Sequence, residues 1–250
     1  MSLEFFTDPT LLPFAIGGLL IGIWGVVFGG SMFLSVPFVQ ILFPGISFGQ
    51  IVGNIKVGSL FRGIGSTWST RKHIDWKDCF FYSIPLLIGT VVGVSIISQL
   101  SQKWILPAII FAIILSEAAP YIAKFITKKT FYLSSVITGI YAGFLGAGIG
   151  VLLVALFRLK HPEDTQISHV KTQARFIEWL LVFVAVFAHI VTGNIILKIW
   201  LVWATGSLIG GFIGGHILNS IGTLSGRIQK VILRTSFVFA LVVAIVKFIA

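Results

Sequence analysis

Apolar stretches follow one another from residue 11 to the C-terminus, and each is at least 20 residues long. A helix that crosses the roughly 30 Å hydrocarbon core of a bilayer needs about 20 such residues. Eight stretches can be drawn, over residues 11–43, 47–69, 79–99, 104–125, 131–158, 166–191, 199–220 and 230–249. No loop between them is long enough for a core of its own. Only 10% of the 250 residues are charged and 56% are hydrophobic, whereas a soluble domain carries about 25% charge. Water-soluble enzymes, nucleic-acid binders and disordered chains are thereby excluded as leading classes. The chain reads as an all-α polytopic membrane protein.

The formal charge of +10 does not point to nucleic acid, because the basic residues sit in short clusters between apolar stretches, as in cytoplasmic loops. Trp68, Trp76, Trp104 and Trp200 lie near segment ends, where indole rings favour the headgroup region. The lone cysteine, Cys79, excludes an internal disulfide and a Cys-rich metal site, and is expected to be a small buried apolar residue. Residues Met1 to Asp8 lack the basic start of a secretory signal, so the first apolar stretch is expected to be retained.

The two halves of the chain match at one spacing. Gly18, Gly22, Gly25, Gly29, Gly89 and Gly93 each recur 121 positions later, as Gly139, Gly143, Gly146, Gly150, Gly210 and Gly214. Ile46-Ser47, Ile74, Lys77 and Leu87-Ile88 keep the same offset. A duplicated unit of four segments, residues 11–125 and 131–249, accounts for this, and such repeats mark transporters. Arg71, Lys72 and Lys77 follow the second segment, but only Lys198 occupies the equivalent loop of the second half. After the third segment there is only Lys103, against Arg227, Lys230 and Arg234 in its counterpart. A basic loop in one half is a sparse loop in the other, as expected of two inverted repeats.

Inversion requires an odd number of crossings per half. One helix over residues 11–43 would be about 50 Å long, too long for the bilayer. The first segment of each repeat is therefore expected to be a re-entrant helical hairpin, broken at its glycines. On this topology Arg71, Lys72, Lys77, Lys124, Lys128, Lys129, Arg158, Lys160, Arg227, Lys230 and Arg234 face the cytoplasm, and Lys103, Lys198 and Lys247 face outside. Eight simple crossings would spread the same charges almost evenly between the two sides.

Broken helices inside a bilayer leave amides without intrahelical partners, and helix N-termini carry partial positive charge. Gly25, Gly29, Gly30 and Ser31 at one break, with Gly146, Gly148 and Gly150 at the other, are thus candidate walls of an anion site. The competing explanation is that these glycines only allow close helix packing.

An ionisable residue inside an apolar segment costs about 2.5–3.5 kcal/mol and needs a partner or a role. Lys56, Arg62, Lys171 and Arg175 face only Glu117 and Glu178 in this count, and an anionic substrate would supply the missing negative charge. Lys171, Arg175 and Glu178 share one helix face. The offset of 121 maps Lys171 onto Gln50 and Arg175 onto Asn54, so two equivalent helices present matched polar faces. Gln50, Asn54, Lys171 and Arg175 are the candidate polar ligands. Arg175 would be a forked, permanently charged clamp on an oxyanion, and Lys171 a point charge.

Lys56 lies about 200° and Arg62 about 80° round the helix from Asn54. They join Glu117, Glu178, His169 and His189 as candidates for charge balance or coupling. An internal Arg175–Glu178 ion pair, a Lys171 that snorkels to the interface and merely interfacial histidines are the structural alternatives. His73 and Asp75 read as a loop contact, and the run His161-Pro-Glu-Asp164 has no metal-site spacing. No Ser–His–Asp, paired-carboxylate or phosphate-loop pattern occurs. No catalytic residue, metal or cofactor is expected.

Taken together, these residues resemble the TauE/SafE-type sulfite and organosulfonate exporters, over about residues 14–248. The resemblance rests on Gly18-x3-Gly22-x2-Gly25-x3-Gly29-Gly30-Ser31, Val36-Pro37, Gln50-Ile-Val-Gly53-Asn54 and Arg71-Lys-His-Ile-Asp75-Trp76 in the first half. In the second half it rests on the run from Gly139 to Gly150 and on Gly206-Ser-Leu-Ile-Gly210-Gly-x2-Gly214. It implies a multi-pass protein in the plasma membrane of a bacterium or archaeon that exports sulfite, sulfoacetate or related sulfonates. The chain departs from the family pattern at Val26-Val27-Phe28, where many members carry more glycine, and at Arg158, which stands where a second proline would match Pro37. Lys171 and Arg175 fall where members often carry small or uncharged polar residues. The substrate is accordingly expected to be a larger or doubly charged anion.

The expected function is a secondary transporter, not an enzyme, that works by alternating access between the inverted halves. One alternative is an anion channel with the buried cations as a selectivity ring. The other is a membrane-embedded enzyme with Glu178, His169 and His189 as acid–base groups. It would require these groups to converge, yet His169 and His189 stand about 30 Å apart along one helix. The expected partners are a small sulfur oxyanion or sulfonate and the lipid bilayer, with no nucleic acid; self-association is a further option.

Overall fold

The computed structural model describes residues 11–161, 167–221 and 226–249. Among these there is no strand, and the chain forms the helices α1 (Leu11–Val27), α2 (Met32–Leu42), α3 (Phe48–Thr70), α4 (Trp76–Ser98), α5 (Ile105–Ile122), α6 (Phe131–Phe144), α7 (Gly150–Lys160), α8 (Ile167–Val191), α9 (Leu197–Ile221) and α10 (Gly226–Ile249). Four described helices, Trp76–Ser98, Gln102–Phe125, His169–Val191 and Leu197–Ile217, are long and apolar enough to cross a membrane. The 23-residue α3 is as long, but carries Gln50, Asn54, Lys56 and Arg62.

Both long glycine-rich segments are broken where the sequence suggested. Gly29 and Gly30 hold φ angles of 79° and 63°, and Gly146 and Gly148 hold 72° and 75°. Side chains disfavour that conformation, so the helix stops there and restarts as α2 or α7.

Most of the other repeated glycines serve contact between helices. A Cβ placed on Gly93 would lie 2.0 Å from the Ile140 carbonyl oxygen, and one on Gly143 would lie 2.0 Å from that of Thr90. The backbones of α4 and α6 touch there. Their other faces point outward: Phe80, Ile84, Ile88, Val91 and Ile96 along α4 are exposed, as suits a helix whose solvent on that side is lipid.

The helix pairs follow the 121-residue offset. α1 lies along α9 and α6 along α4; α3 packs on α9 and α8 on α4; α2 meets α10 and α7 meets α5. The register between the two pairs differs by one helical turn: Gly210 meets the Leu19 carbonyl and the Ile23 amide, and the matching contacts, to the Ile140 carbonyl and the Phe144 amide, are made by Gly93 rather than by Gly89. Between the halves, α3 and α8 run antiparallel, with Gly53 against His189 and Gly63 against Trp179.

Amide side chains fasten the loops at each end of this central pair. Asn54 Oδ1 accepts from the Ile196 backbone N–H at 3.1 Å, between α8 and α9. Gln173 Oε1 accepts from the Asp75 backbone N–H at 3.0 Å, between α3 and α4. Asp75 and Ile196 are themselves 121 positions apart, so equivalent loops are held by amides from opposite helices. Gln173 also donates to the His73 carbonyl at 2.7 Å and receives the buried Cys79 thiol at 3.1 Å. His73 and Asp75 thus have the loop role expected of them. His161, at the end of α7, lies 3.1 Å from Asp78; the rest of the run to Asp164 lies outside the described residues.

Candidate functional site

A cavity of about 80 Å³ opens between α1, α3 and α8. One water needs roughly 10–15 Å³ by the same measure, so the space admits several waters or one small anion. Ser59, Arg62, Gly63 and Ser66 of α3 form one wall, and Arg175, Glu178, Trp179 and Val182 of α8 form the other. Both sets follow the spacing i, i+3, i+4, i+7, which puts each on a single helical face. Gly25 and Val26, near the end of α1, complete the lining.

The helix partners shape this hollow. Trp179 packs on Gly63, where a Cβ would sit 2.1 Å from the indole ring, and its Nε1 donates to the Leu60 carbonyl at 3.1 Å. Arg62 donates to Ser31 Oγ at 2.6 Å and to Ser59 Oγ at 3.4 Å. Its guanidinium lies beside Gly25, 2.4 Å from the position of an added Cβ. Arg62 therefore joins the first helix break to the cavity.

Arg175 is exposed at the cavity and Glu178 half-buried in it. Neither is joined by a hydrogen bond or ion pair to any described residue. The internal Arg175–Glu178 pair is thus not formed. Glu178 lies within electrostatic reach of Arg62, Lys56 and Arg175, which leaves three cations to one carboxylate. Glu117 is not part of this balance: Arg234 donates to it twice, at 3.0 and 2.8 Å, on the outer surface.

Several candidate residues lie elsewhere. The Gln50 side chain closes a capping box with Ser47 at the start of α3. Asn54 is 0% exposed and donates to the Gln50 and Asn194 carbonyls at 2.7 and 3.2 Å besides accepting from Ile196. These bonds to backbone groups hold both side chains away from the cavity. Replacing Asn54 by alanine is expected to cost about 1–3 kcal/mol, because the Ile196 N–H and the Asn194 carbonyl lose their partner. Anion affinity is expected to stay unchanged. Urea or thermal unfolding beside a binding titration checks both outcomes.

Lys171 is exposed and does not line the cavity. Gly146, Gly148 and Gly150 do not line it either. At that second break Lys56, 5% exposed, donates to the Ala142 carbonyl at 2.7 Å, and the Tyr141 hydroxyl donates to the Ala147 carbonyl. The end of α6 presents carbonyls, the negative pole of a helix, so a cation settles there. His169 pairs with Gln173 at 2.7 Å. His189 is fully buried beside Asn194 at the far end of α8. The two histidines and Glu178 do not share a pocket.

Ser59, Gly63, Ser66 and Trp179 are cavity residues that the sequence does not mark, and Arg62 lies off the polar face that contains Asn54. Asn54 itself faces a loop. Measured from Ser59, the same helix shows the i, i+3, i+4, i+7 face directly.

A family model described as Sulfite exporter TauE/SafE matches residues 14–248. No curated protein and no solved structure matches the chain.

Proposed function

The chain belongs to the sulfite exporter TauE/SafE family of membrane transporters, and we propose that it exports small sulfur-containing anions, such as sulfite, sulfoacetate or other organosulfonates, through the cavity between α3 and α8. The observation that carries this reading is the pair of guanidiniums, Arg62 and Arg175, lining one hollow of about 80 Å³ among apolar helices. Guanidinium forks match the oxygens of a sulfite or sulfonate group and stay charged in a poor dielectric. The Ser59 and Ser66 hydroxyls in the same wall add donors. The excess of cation over carboxylate favours a monoanion or dianion over a neutral solute.

The carrier works by alternating access between inverted repeats, each begun by a re-entrant hairpin, in the plasma membrane of a bacterium or archaeon. The antiparallel run of α3 and α8 supports inversion, because these helices are equivalent under the repeat. Eight simple crossings would make them parallel. Cysteines introduced as Lys77→Cys and Lys198→Cys in a Cys79→Ala background are expected to react with an impermeant thiol reagent from opposite sides of the membrane. Labelling from the same side would end the inverted topology.

Counterflow in proteoliposomes tests the transport reading. Sulfite or sulfoacetate flux is expected to saturate and to be inhibited by other sulfonates. Ohmic single-channel current would mark a pore instead, and no flux of any of these anions would refute the assignment.

A further inference from the structure

Glu178 is the unexplained group in the cavity. It places a carboxylate in a hollow that otherwise suits an anion, and it makes no hydrogen bond or ion pair with a described residue. A half-buried carboxylate in a native structure normally has such a partner. A group present only to neutralise Arg175 or Arg62 would close on one of them. Here all three side chains line the same space and stay apart.

We propose that Glu178 is a proton site linked to the anion: its carboxylate takes up one proton when an anion binds on the Arg62 and Arg175 guanidiniums, and returns it when the anion leaves. This rests on the anion cavity proposed above.

The charged groups facing Glu178 are Arg62 and Lys56 from α3 and Arg175 from its own helix. The α1 wall contributes only Gly25 and Val26. In the empty cavity these cations surround the carboxylate with positive charge. An arriving anion turns the two guanidiniums toward itself and puts a second negative charge beside Glu178, away from bulk water. Like charges that share a small site favour protonation of one of them. The proton comes from solvent and forms an O–H bond on the carboxylate, which then donates to the bound anion instead of repelling it. Binding of the two ions is thereby reciprocal: each raises the affinity for the other.

Isothermal titration of the purified full-length protein with methanesulfonate tests this, because that anion has no titrating group of its own near neutral pH. Titrations in buffers of different ionisation heat count the protons. We expect close to one proton taken up per anion in the middle of the transition, and affinity that rises up to about tenfold per unit fall in pH. Glu178→Gln, which resembles the protonated acid, is expected to bind with no proton uptake and no dependence on pH. Glu178→Asp is expected to keep the uptake. Binding by the wild-type protein with no proton uptake between about pH 5 and 8 would overturn this proposal alone, as would uptake that persists in Glu178→Gln. No binding of methanesulfonate or sulfite at all would overturn the anion cavity with it. The wild-type measurement decides the matter even if a variant fails to fold.

Discussion

Replacing Arg175 by glutamine is expected to weaken sulfite binding about 10- to 100-fold and to abolish measurable flux at low substrate. A hydrogen bond to a charged group contributes about 1.5–3 kcal/mol, and each 1.4 kcal/mol is about tenfold in affinity. The cavity itself would go from two cations and one carboxylate to one of each. Stability is expected to move by no more than about 0.5 kcal/mol, because the Arg175 side chain is exposed at the cavity and bonded to no described residue. Arg62→Gln makes the contrast. It also removes the bonds to Ser31 and Ser59, so both binding and thermal stability should fall. Arg175→Lys should rescue only part of the affinity, since an ammonium keeps the charge but loses the fork. Titration calorimetry and thermal unfolding on the same preparations separate these outcomes. Unchanged affinity in Arg175→Gln would remove that residue from the site.

The second large effect concerns packing. Gly93→Ala is expected to destabilise the protein by about 3 kcal/mol or more, at the upper end of what overpacking costs. Its Cβ would fall 2.0 Å from the Ile140 carbonyl oxygen and 2.7 Å from the Phe144 amide nitrogen. Backbone on a packed helix cannot step aside as a side chain can. The equivalent Gly214→Ala should be milder, since its nearest neighbour is the Val26 side chain at 2.9 Å. Gly215→Ala meets nothing within 4 Å and serves as the control, with no loss expected. Thermal unfolding in detergent ranks the three. Equal effects at all three positions would show that α4 and α6 tolerate separation.

The contrast between Asn54 and Arg175 shows why the site was only partly legible. The sequence makes them equivalent, so both looked like ligands. In the fold the loop-holding task at that level goes to Asn54 in one half and to Gln173, rather than Arg175, in the other. That shift of two residues leaves Arg175 free to face the cavity. Arg62 entered the site for a related reason. Its place depends on the antiparallel α8 and on Ser31 at the first break, neither of which a helical wheel of α3 contains.

The linear chain determined the elements and their breaks, because those depend on local quantities. Apolar length set the helices, and a dense glycine run at Gly25–Ser31 and Gly146–Gly150 set the interruptions. It also determined the pairing rule, since one offset written in the glycines recurs in α1 on α9 and α6 on α4. Only the tertiary structure decided which glycines turn and which pack, and which buried charges answer a backbone carbonyl and which face open space. Lys56 bonds to Ala142 whereas Arg175 and Glu178 line a cavity, and the difference lies in what the neighbouring helix presents at that level. Charge and hydrogen-bonding capacity belong to a residue; whether they are satisfied belongs to its surroundings.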